Sequence, residues 1–280
     1  MAENSKIEWT DHTFNPWLGC TRVSPGCQHC YAETQATRVK LVEWGPKANR
    51  RRTGVDNWRG PVKWNAKAEK LGIRFKVFCS SMADVFDDHP SIRPEWRGEL
   101  WALIRETPHL DWLLLTKRPE NWAKFLPNRS PPPSLQHARL GVTIEDQPRF
   151  DERSPHIIRE HGHGWPTFVS YEPALGAVDW RPAIHAIDWL ICGGESGHGA
   201  RPMHPDWARQ TRDDCNDAGV PFFFKQWGEW ARLPEGSAPE PFIDKGAAHF
   251  LPESGNWMAR IGKHAAGRHL DGALHDAVPA

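Results

Sequence analysis

Six short apolar runs recur between residues 75 and 225, and this rhythm most constrains what the chain can fold into. Each run has the length of a buried strand and ends in polar residues. The runs span residues 75–79, 112–116, 139–143, 167–170, 189–192 and 221–225. Two of the stretches between them, 92–106 and 205–218, carry helical signals. Strands that alternate with helices predict a parallel sheet with crossover connections.

A seventh strand is expected within residues 13–18. Seven strands in this arrangement favour an α/β fold built as a partial or complete β/α (TIM-like) barrel, and 280 residues can hold one barrel with an extension. We expect the barrel over residues 1–231, with a basic insertion at about 38–76. Proline and glycine dominate residues 232–280, which predicts an irregular C-terminal extension packed on the barrel.

Polar residues follow each of the six apolar runs. The carboxyl ends of parallel strands meet at one edge of a sheet, and ligands bind there. The candidates at this edge are Ser80, Ser81, Asp84, Lys117, Glu145, Glu172, Glu195 and Lys225. Lys117, Glu172 and Lys225 have the chemistry to orient a substrate or transfer protons; the alternative is a buried charged network that holds the barrel mouth. Glu195 either pairs with Arg201 or faces the substrate.

Three cysteines, Cys20, Cys27 and Cys30, lie within eleven residues directly after the first expected strand. Three thiolates are one fewer than the four that usually enclose an iron-sulfur cluster or a structural zinc. The set therefore indicates a metal centre with an open coordination position. The alternatives are a closed zinc site completed by His12 or His29, and three thiols that bind no metal.

The expected compartment supports a metal or catalytic role for these thiols. The first ten residues are too charged for a secretory signal, and no apolar run approaches the length of a membrane span. We therefore expect a cytoplasmic protein without membrane contact. Because disulfides are disfavoured in a reducing compartment, clustered thiols there more often bind metals or act in catalysis.

Charge is distributed unevenly, although the formal net charge of the chain is zero. Residues 38–76 contain twelve Lys or Arg and three acidic residues, interleaved with Trp44, Trp58 and Trp64. Cations beside aromatic rings suit phosphate contacts and base stacking. This segment predicts a nucleic acid or a phosphorylated substrate as partner. The alternative is a solvated, partly helical face whose tryptophans pack inward.

Several motifs distributed along the whole chain form one recognisable set. They occupy residues 7–11, 15–20, 24–33, 193–197, 200–203, 222–228, 262–267 and 270–272. Together they resemble a phage and bacterial family of unknown function, often called the three-Cys-motif family and described as radical-SAM-like.

The resemblance implies a 4Fe-4S cluster on Cys20, Cys27 and Cys30 whose free iron binds S-adenosylmethionine. Reduction by an external electron donor would then cleave the sulfonium and release a 5′-deoxyadenosyl radical. A separate three-Cys-motif partner protein is also implied. The cofactor-binding candidates are Ser80, Ser81, Asp84, Glu145 and Glu195, and the catalytic candidates are Lys117, Glu172 and Lys225.

Two other functions are compatible with the residues. One is a phage-related nucleic-acid-binding module with a structural zinc site. The other is an iron-sulfur protein whose cluster only stabilises the fold.

Overall fold

The computed structural model describes residues 3–234, 237, 239–252 and 255–279. The strands are β1 (His12–Phe14), β2 (Trp17–Leu18), β3 (Arg51–Arg52), β4 (Phe75–Cys79), β5 (Leu110–Thr116), β6 (Ala138–Thr143), β7 (Thr167–Tyr171), β8 (Leu190–Gly193), β9 (Phe222–Gln226), β10 (Trp230–Arg232), β11 (Ala248–Leu251) and β12 (Asn256–Arg260). The helices are α1 (Tyr31–Arg38), α2 (Val55–Leu71), α3 (Pro94–Glu106), α4 (Trp122–Phe125), α5 (Gln147–Gly162), α6 (Pro205–Ala218), α7 (Glu240–Ile243) and α8 (Lys263–Ala266).

Seven strands form the central sheet in the order β1-β4-β5-β6-β7-β8-β9. Every neighbouring pair in this sheet is parallel. The predicted α/β class with a partial β/α barrel is therefore confirmed. The six apolar runs become β4 to β9, with boundaries within two residues of those expected. The first expected strand is split into β1 and β2 around Asn15 and Pro16.

Two apolar layers cover the two faces of the sheet. Alternate strand residues such as Val77, Leu114 and Val142 pack with helix residues such as Leu103 and Ile157 in the main core. The residues between them point to the concave face, where they form a second cluster. This inner aromatic cluster consists of Trp9, Phe78, Leu113, Phe168, Trp189, Ile191 and Phe223. It packs inside the partial barrel.

Gly141 in β6 makes room for the ring of Phe168 in the inner aromatic cluster. A Cβ atom at residue 141 would lie 2.1 Å from Cζ of Phe168. We expect Gly141→Ala to lower the free energy of unfolding by about 1–3 kcal/mol, because overpacking displaces the ring. Gly98 is a matched control, since it lies exposed in α3 and an added Cβ meets nothing within 4 Å.

Urea unfolding of both glycine variants checks this expectation. Gly98→Ala should raise the free energy of unfolding by about 0.5–1 kcal/mol, because alanine is the better helix former. An unchanged stability of Gly141→Ala would show that the ring has space to move.

The C-terminal extension contains a small antiparallel sheet in the order β10-β12-β11. It is attached to the barrel by a hydrogen bond that Trp230 Nε1 donates to the Ala200 carbonyl at 2.6 Å. Farther along, the Phe224 amide donates to the carbonyl of His275 at 2.8 Å, which covers the outer edge of β9.

Helix α5 was not among the helices expected from the sequence. It begins at Gln147, directly after the capping residue Asp146, whose carboxylate accepts a hydrogen bond from the Arg149 amide at 3.0 Å, and it contains Pro155. Among the residues that the structure describes, no helix combines the length and the apolar character needed to cross a membrane.

Candidate metal and cofactor site

A cavity of about 400 Å³ opens at the carboxyl ends of the central strands. Trp9, Phe78 and Leu115 contribute apolar surface to it. The predicted site residues that line this cavity are Cys20, Cys27, Cys30, Ser80, Ser81, Asp84, Lys117, Glu172 and Lys225. Glu145 and Glu195 are not part of its wall. The structure thus brings together nine of the eleven candidates around one space.

The segment before the cysteines is tied to the loop that follows β4. Asn15 is fully buried; its Nδ2 donates to Ser81 Oγ at 3.0 Å, and its Oδ1 accepts from the Met82 amide at 2.7 Å. The Gly19 amide donates to the Met82 carbonyl at 3.1 Å. These bonds place Cys20 at the cavity, and we call residues 20–30, between β2 and α1, the cysteine loop.

Asp84 accepts hydrogen bonds from the end of β5 and the residues that follow it, at the edge of the cavity beside the cysteine loop. Its carboxylate accepts hydrogen bonds from Thr116 Oγ1 at 2.7 Å, the Lys117 amide at 3.0 Å and Arg118 Nη1 at 2.8 Å. Burial opposes ionisation of this carboxyl, but the Arg118 charge and the donated hydrogen bonds outweigh it and lower the pKa of Asp84. Asp84 is therefore an anion that fixes the Arg118 guanidinium.

Arg118 connects Asp84 to the cysteine loop. Its Nη1 lies 3.6 Å from Cys20 Sγ, and its Nη2 donates to the Thr21 carbonyl at 2.7 Å. Burial, with a contribution from the Asp84 charge, raises the pKa of the metal-free Cys20 thiol to about 12, although Arg118 opposes this rise. Metal binding at Cys20 must therefore release a proton.

Glu145 supports the cysteine loop from beneath. Its side chain is fully buried, with Oε1 accepting a hydrogen bond from Ser24 Oγ at 2.6 Å and Oε2 from Arg153 Nη1 at 3.1 Å. The Lys117 ammonium is 3.8 Å away. A Cβ atom at Gly26 would lie 2.7 Å from the Glu145 side chain, so the loop backbone rests directly on this carboxylate.

Glu195 holds the same loop from the side. Arg201 donates to both carboxylate oxygens, at 2.8 and 2.6 Å, and His29 Nδ1 lies 3.1 Å from Oε2. Burial opposes ionisation, yet the hydrogen bonds from Arg201 outweigh it and lower the pKa of Glu195. Arg201 also donates to the Pro25 carbonyl at 3.1 Å. Of the two roles considered for Glu195, pairing with Arg201 is the one observed.

Glu172 and Lys225 form an ion pair on the cavity wall. Lys225 Nζ lies 2.7 Å from Glu172 Oε1, and the two side chains are 18% and 13% exposed. Ser170 Oγ donates to Glu172 Oε2 at 3.3 Å. This pair is partly shielded from water but reachable from the cavity, which suits a group that binds a polar ligand or exchanges protons with it.

Three thiols that could serve as metal ligands line the cavity. All three cysteines are free thiols on one cavity, and in a cluster each thiolate can bind a different iron. Among the residues that the structure describes, no three His, Cys, Asp or Glu side chains are close enough to hold one metal ion.

The histidines considered as fourth zinc ligands have other surroundings. The His12 ring stacks on Trp64 with the ring centroids 4.3 Å apart, and His12 Nδ1 accepts from the Asn4 amide at 3.3 Å. His29 Nδ1 lies 3.1 Å from Glu195 Oε2. Neither histidine lines the cavity.

The basic segment divides into internal and exposed parts. Arg50 is buried and bonded to Asp87 at 2.7 Å. Trp64 is buried in the main core, and the Arg52 guanidinium covers the ring of Trp58 at 4.4 Å. These tryptophans pack inward, as the alternative interpretation expects, whereas Trp44 lies on the cavity wall. The lysines of α2 remain exposed.

Several residues of the site were not singled out from the sequence. Arg118 follows Lys117 directly, so that its position at a strand end was visible, but its bond to Asp84 was not. Lys263 of α8 also lines the cavity and lies 3.5 Å from Glu8. Gln226 lines it too, and its Oε1 is buried without a hydrogen-bond partner in the described part of the chain. Both residues lie within the motifs at 222–228 and 262–267, but those motifs did not assign either of them to the cavity.

A family model described as a protein of unknown function (DUF5131) matches residues 4–279. The chain belongs to the DUF5131 family. The expected membership in a family of unknown function is therefore confirmed, and membership alone assigns no chemistry. No curated protein matches the DUF5131 chain.

Solved structures similar to the DUF5131 chain include mutants of spore photoproduct lyase. A double mutant with bound AdoMet and dinucleoside spore photoproduct has a TM-score of 0.44 and 13% identity, with 90% of this chain and 68% of that chain covered. A single mutant has a TM-score of 0.46 and 12% identity, with 91% and 70% covered. A likeness this distant carries no argument about the activity of the DUF5131 chain.

Proposed function

We propose that this protein is a radical-SAM-like 4Fe-4S enzyme that uses S-adenosylmethionine to act on a substrate yet to be identified. The observation that carries the proposal is the gathering of three free cysteines and the polar ends of the strands around one cavity. When bound, the cluster and S-adenosylmethionine would supply one-electron reductive cleavage, with the electron from an external donor, to give methionine and a 5′-deoxyadenosyl radical.

The residues of the chain divide into ligands, supports and cavity groups. Cys20, Cys27 and Cys30 would hold the cluster. Ser80 and Ser81 lie on the same wall. Ser80 Oγ donates to the Ala83 carbonyl at 3.0 Å, whereas Ser81 Oγ accepts from Asn15 Nδ2 and keeps a proton that it could donate to S-adenosylmethionine. The supports and cavity groups are Asp84, Glu145, Glu195, Lys117, Glu172 and Lys225.

Each support acts through a neighbour that the structure identifies. Asp84 acts through Arg118, while Glu145 and Glu195 position the cysteine loop through Ser24 and Arg201. In this proposal Glu172 and Lys225 bind polar groups of the substrate through their ion pair on the cavity wall. Lys117, near Glu145 at the rim, orients the substrate.

Anaerobic reconstitution with iron and sulfide tests the proposal. We expect a brown protein with about four irons per chain. Reduction with dithionite in the presence of S-adenosylmethionine should then yield 5′-deoxyadenosine and methionine. A cluster that forms without nucleoside release would remove the enzyme assignment. Tightly bound zinc without visible absorption would instead favour the zinc-containing nucleic-acid-binding module.

For the substrate we propose a nucleic acid, bound through the exposed face of α2. Lys63, Lys67 and Lys70 are exposed and lie on one side of this helix, because residues four and seven apart share a face. In the described residues the acidic residues of α2 pair elsewhere, Asp56 with Arg59 and Glu69 with His109. Lys67 Nζ lies 5.8 Å from the centroid of the Phe75 ring. Exposed cations on one face suit a phosphate backbone. A partner protein, implied by the family resemblance, stays a prediction without an identified docking face.

Charge reversal on α2 tests the nucleic-acid proposal. We expect the triple variant Lys63→Glu, Lys67→Glu and Lys70→Glu to weaken binding of a fluorescein-labelled single-stranded oligonucleotide about tenfold or more at low salt. Fluorescence anisotropy measures the affinity, and the salt dependence should also become less steep.

A charge-matched triple variant controls for the overall change in charge. Lys124→Glu, Arg181→Glu and Lys245→Glu alter exposed residues on other elements. Equal weakening by both triple variants would contradict a specific role for α2.

A further inference from the structure

We infer that Arg118 is a positioning residue that sets the reduction potential of the proposed cluster through its hydrogen bond to Cys20 Sγ. The inference rests on the proposed function, because it concerns a cluster held by Cys20. It assigns to Arg118 a role in electron transfer, separate from substrate binding.

The guanidinium is fixed so that its contact with sulfur persists. The Arg118 side chain is 8% exposed, and its Nη1 lies 2.8 Å from Asp84 and 3.6 Å from Cys20 Sγ. Its Nε lies 3.6 Å from Asp87, and its Nη2 donates to the Thr21 carbonyl at 2.7 Å. These partners fix the guanidinium in an orientation that places Nη1 within hydrogen-bond distance of the sulfur.

A donated hydrogen bond draws electron density from a thiolate that binds iron. The reduced cluster carries one more negative charge than the oxidised cluster, and an N–H donor or nearby cation stabilises it more. Burial limits screening by salt, although Asp84 and Asp87 offset part of the Arg118 charge. Loss of Arg118 should therefore make the cluster harder to reduce.

Arg50 provides a matched control within the same network. It is also buried, with Nη2 donating to Thr21 Oγ1 at 2.7 Å and Nε bonded to Asp87 at 2.7 Å. Its remaining bonds go to the carbonyls of Gly45 and Ala48. Arg50 thus anchors the same loop and contacts the same aspartate, but in the described structure it donates to no cysteine sulfur.

The test is an EPR-monitored redox titration of the reconstituted full chain with dithionite and mediators. We expect Arg118→Gln to shift the reduction potential to a more negative value, and by clearly more than Arg50→Gln, which removes a buried cation but no donor to sulfur. Arg118→Lys retains a charged donor, so its reduction potential should lie between those of Arg118→Gln and the wild type. An unmoved potential in Arg118→Gln, or equal shifts in the Arg118 and Arg50 variants, would overturn the inference.

A second measurement avoids dependence on the folding of Arg118→Gln. Wild-type protein labelled with ¹⁵N-arginine is reconstituted, reduced and studied by pulsed EPR. A ¹⁵N coupling that persists in Arg50→Lys supports the hydrogen bond to Cys20, and the absence of coupling overturns it. A wild-type protein that forms no cluster would overturn the proposed function as well, whereas a normal cluster without coupling overturns this inference alone.

Discussion

Replacing Cys27 with alanine is expected to abolish formation of a 4Fe-4S cluster while the chain remains folded. Cys20→Ala and Cys30→Ala should behave in the same way, because each removes one of three thiolates that line the cavity. Production of 5′-deoxyadenosine should fall more than about 100-fold, since even residues that only support a metal ligand account for 10–100-fold effects. Iron analysis, visible absorption and nucleoside release measure these changes.

Cys215→Ala is the matched control for these variants. Cys215 is buried in α6, away from the cavity wall, and its replacement should leave iron content and nucleoside release unchanged. A Cys27→Ala protein that keeps four irons and full turnover would exclude Cys27 as a ligand. A Cys27→Ala protein that aggregates would favour a cluster that only stabilises the fold.

Replacing Asp84 with alanine is expected to lower the free energy of unfolding by about 3–5 kcal/mol, because it leaves the buried Arg118 cation without its closest partner. Asp87 Oδ1, which lies 3.6 Å from Arg118 Nε, compensates for the lost carboxylate only in part. Urea unfolding of the metal-free protein measures the loss. We also expect poorer iron incorporation, since Arg118 holds the cysteine loop through Thr21.

Asp88→Asn provides the control for Asp84. Asp88 pairs with Lys124 at 2.6 Å, but both side chains are about half exposed or more, and surface pairs contribute little. Its stability should stay within about 0.5 kcal/mol of the wild type. Equal losses in Asp84→Ala and Asp88→Asn would contradict a buried anchoring role for Asp84.

The stabilisation by Asp84 should also depend on pH. The pKa of this carboxyl is lowered in the folded chain, so the folded state favours the anion. The contribution is complete above the unfolded-state pKa of about 3.9 and is lost as the pH falls through the lower folded-state pKa. The stability difference between wild type and Asp84→Ala should therefore be constant near neutral pH and shrink on acidification.

The strands and their polar ends could be predicted because they depend on local patterns. Short apolar runs bounded by polar residues mark buried strands, and the parallel order places all their ends at one edge. Helix α5 escaped prediction because Pro155 and many charged residues hide its apolar face. Its stability comes from packing against the sheet, through Phe150 and Ile157.

The roles of Glu145 and Glu195 could not be read from the chain. Glu145 meets Ser24 across 121 residues of sequence, and Glu195 meets His29 across 166. A strand-end carboxylate looks the same in sequence whether it faces a ligand or supports a loop. The position of Arg50 could not be predicted either, because nothing in the sequence of three consecutive arginines indicates that Arg50 is the buried one.

The inner aromatic cluster forms part of the cavity wall. Its members, from Trp9 to Phe223, are at most 6% exposed, and Trp9 and Phe78 also line the cavity. The part of a bound ligand that reaches this wall would therefore meet aromatic surface, which favours a planar or apolar group there over a charged one.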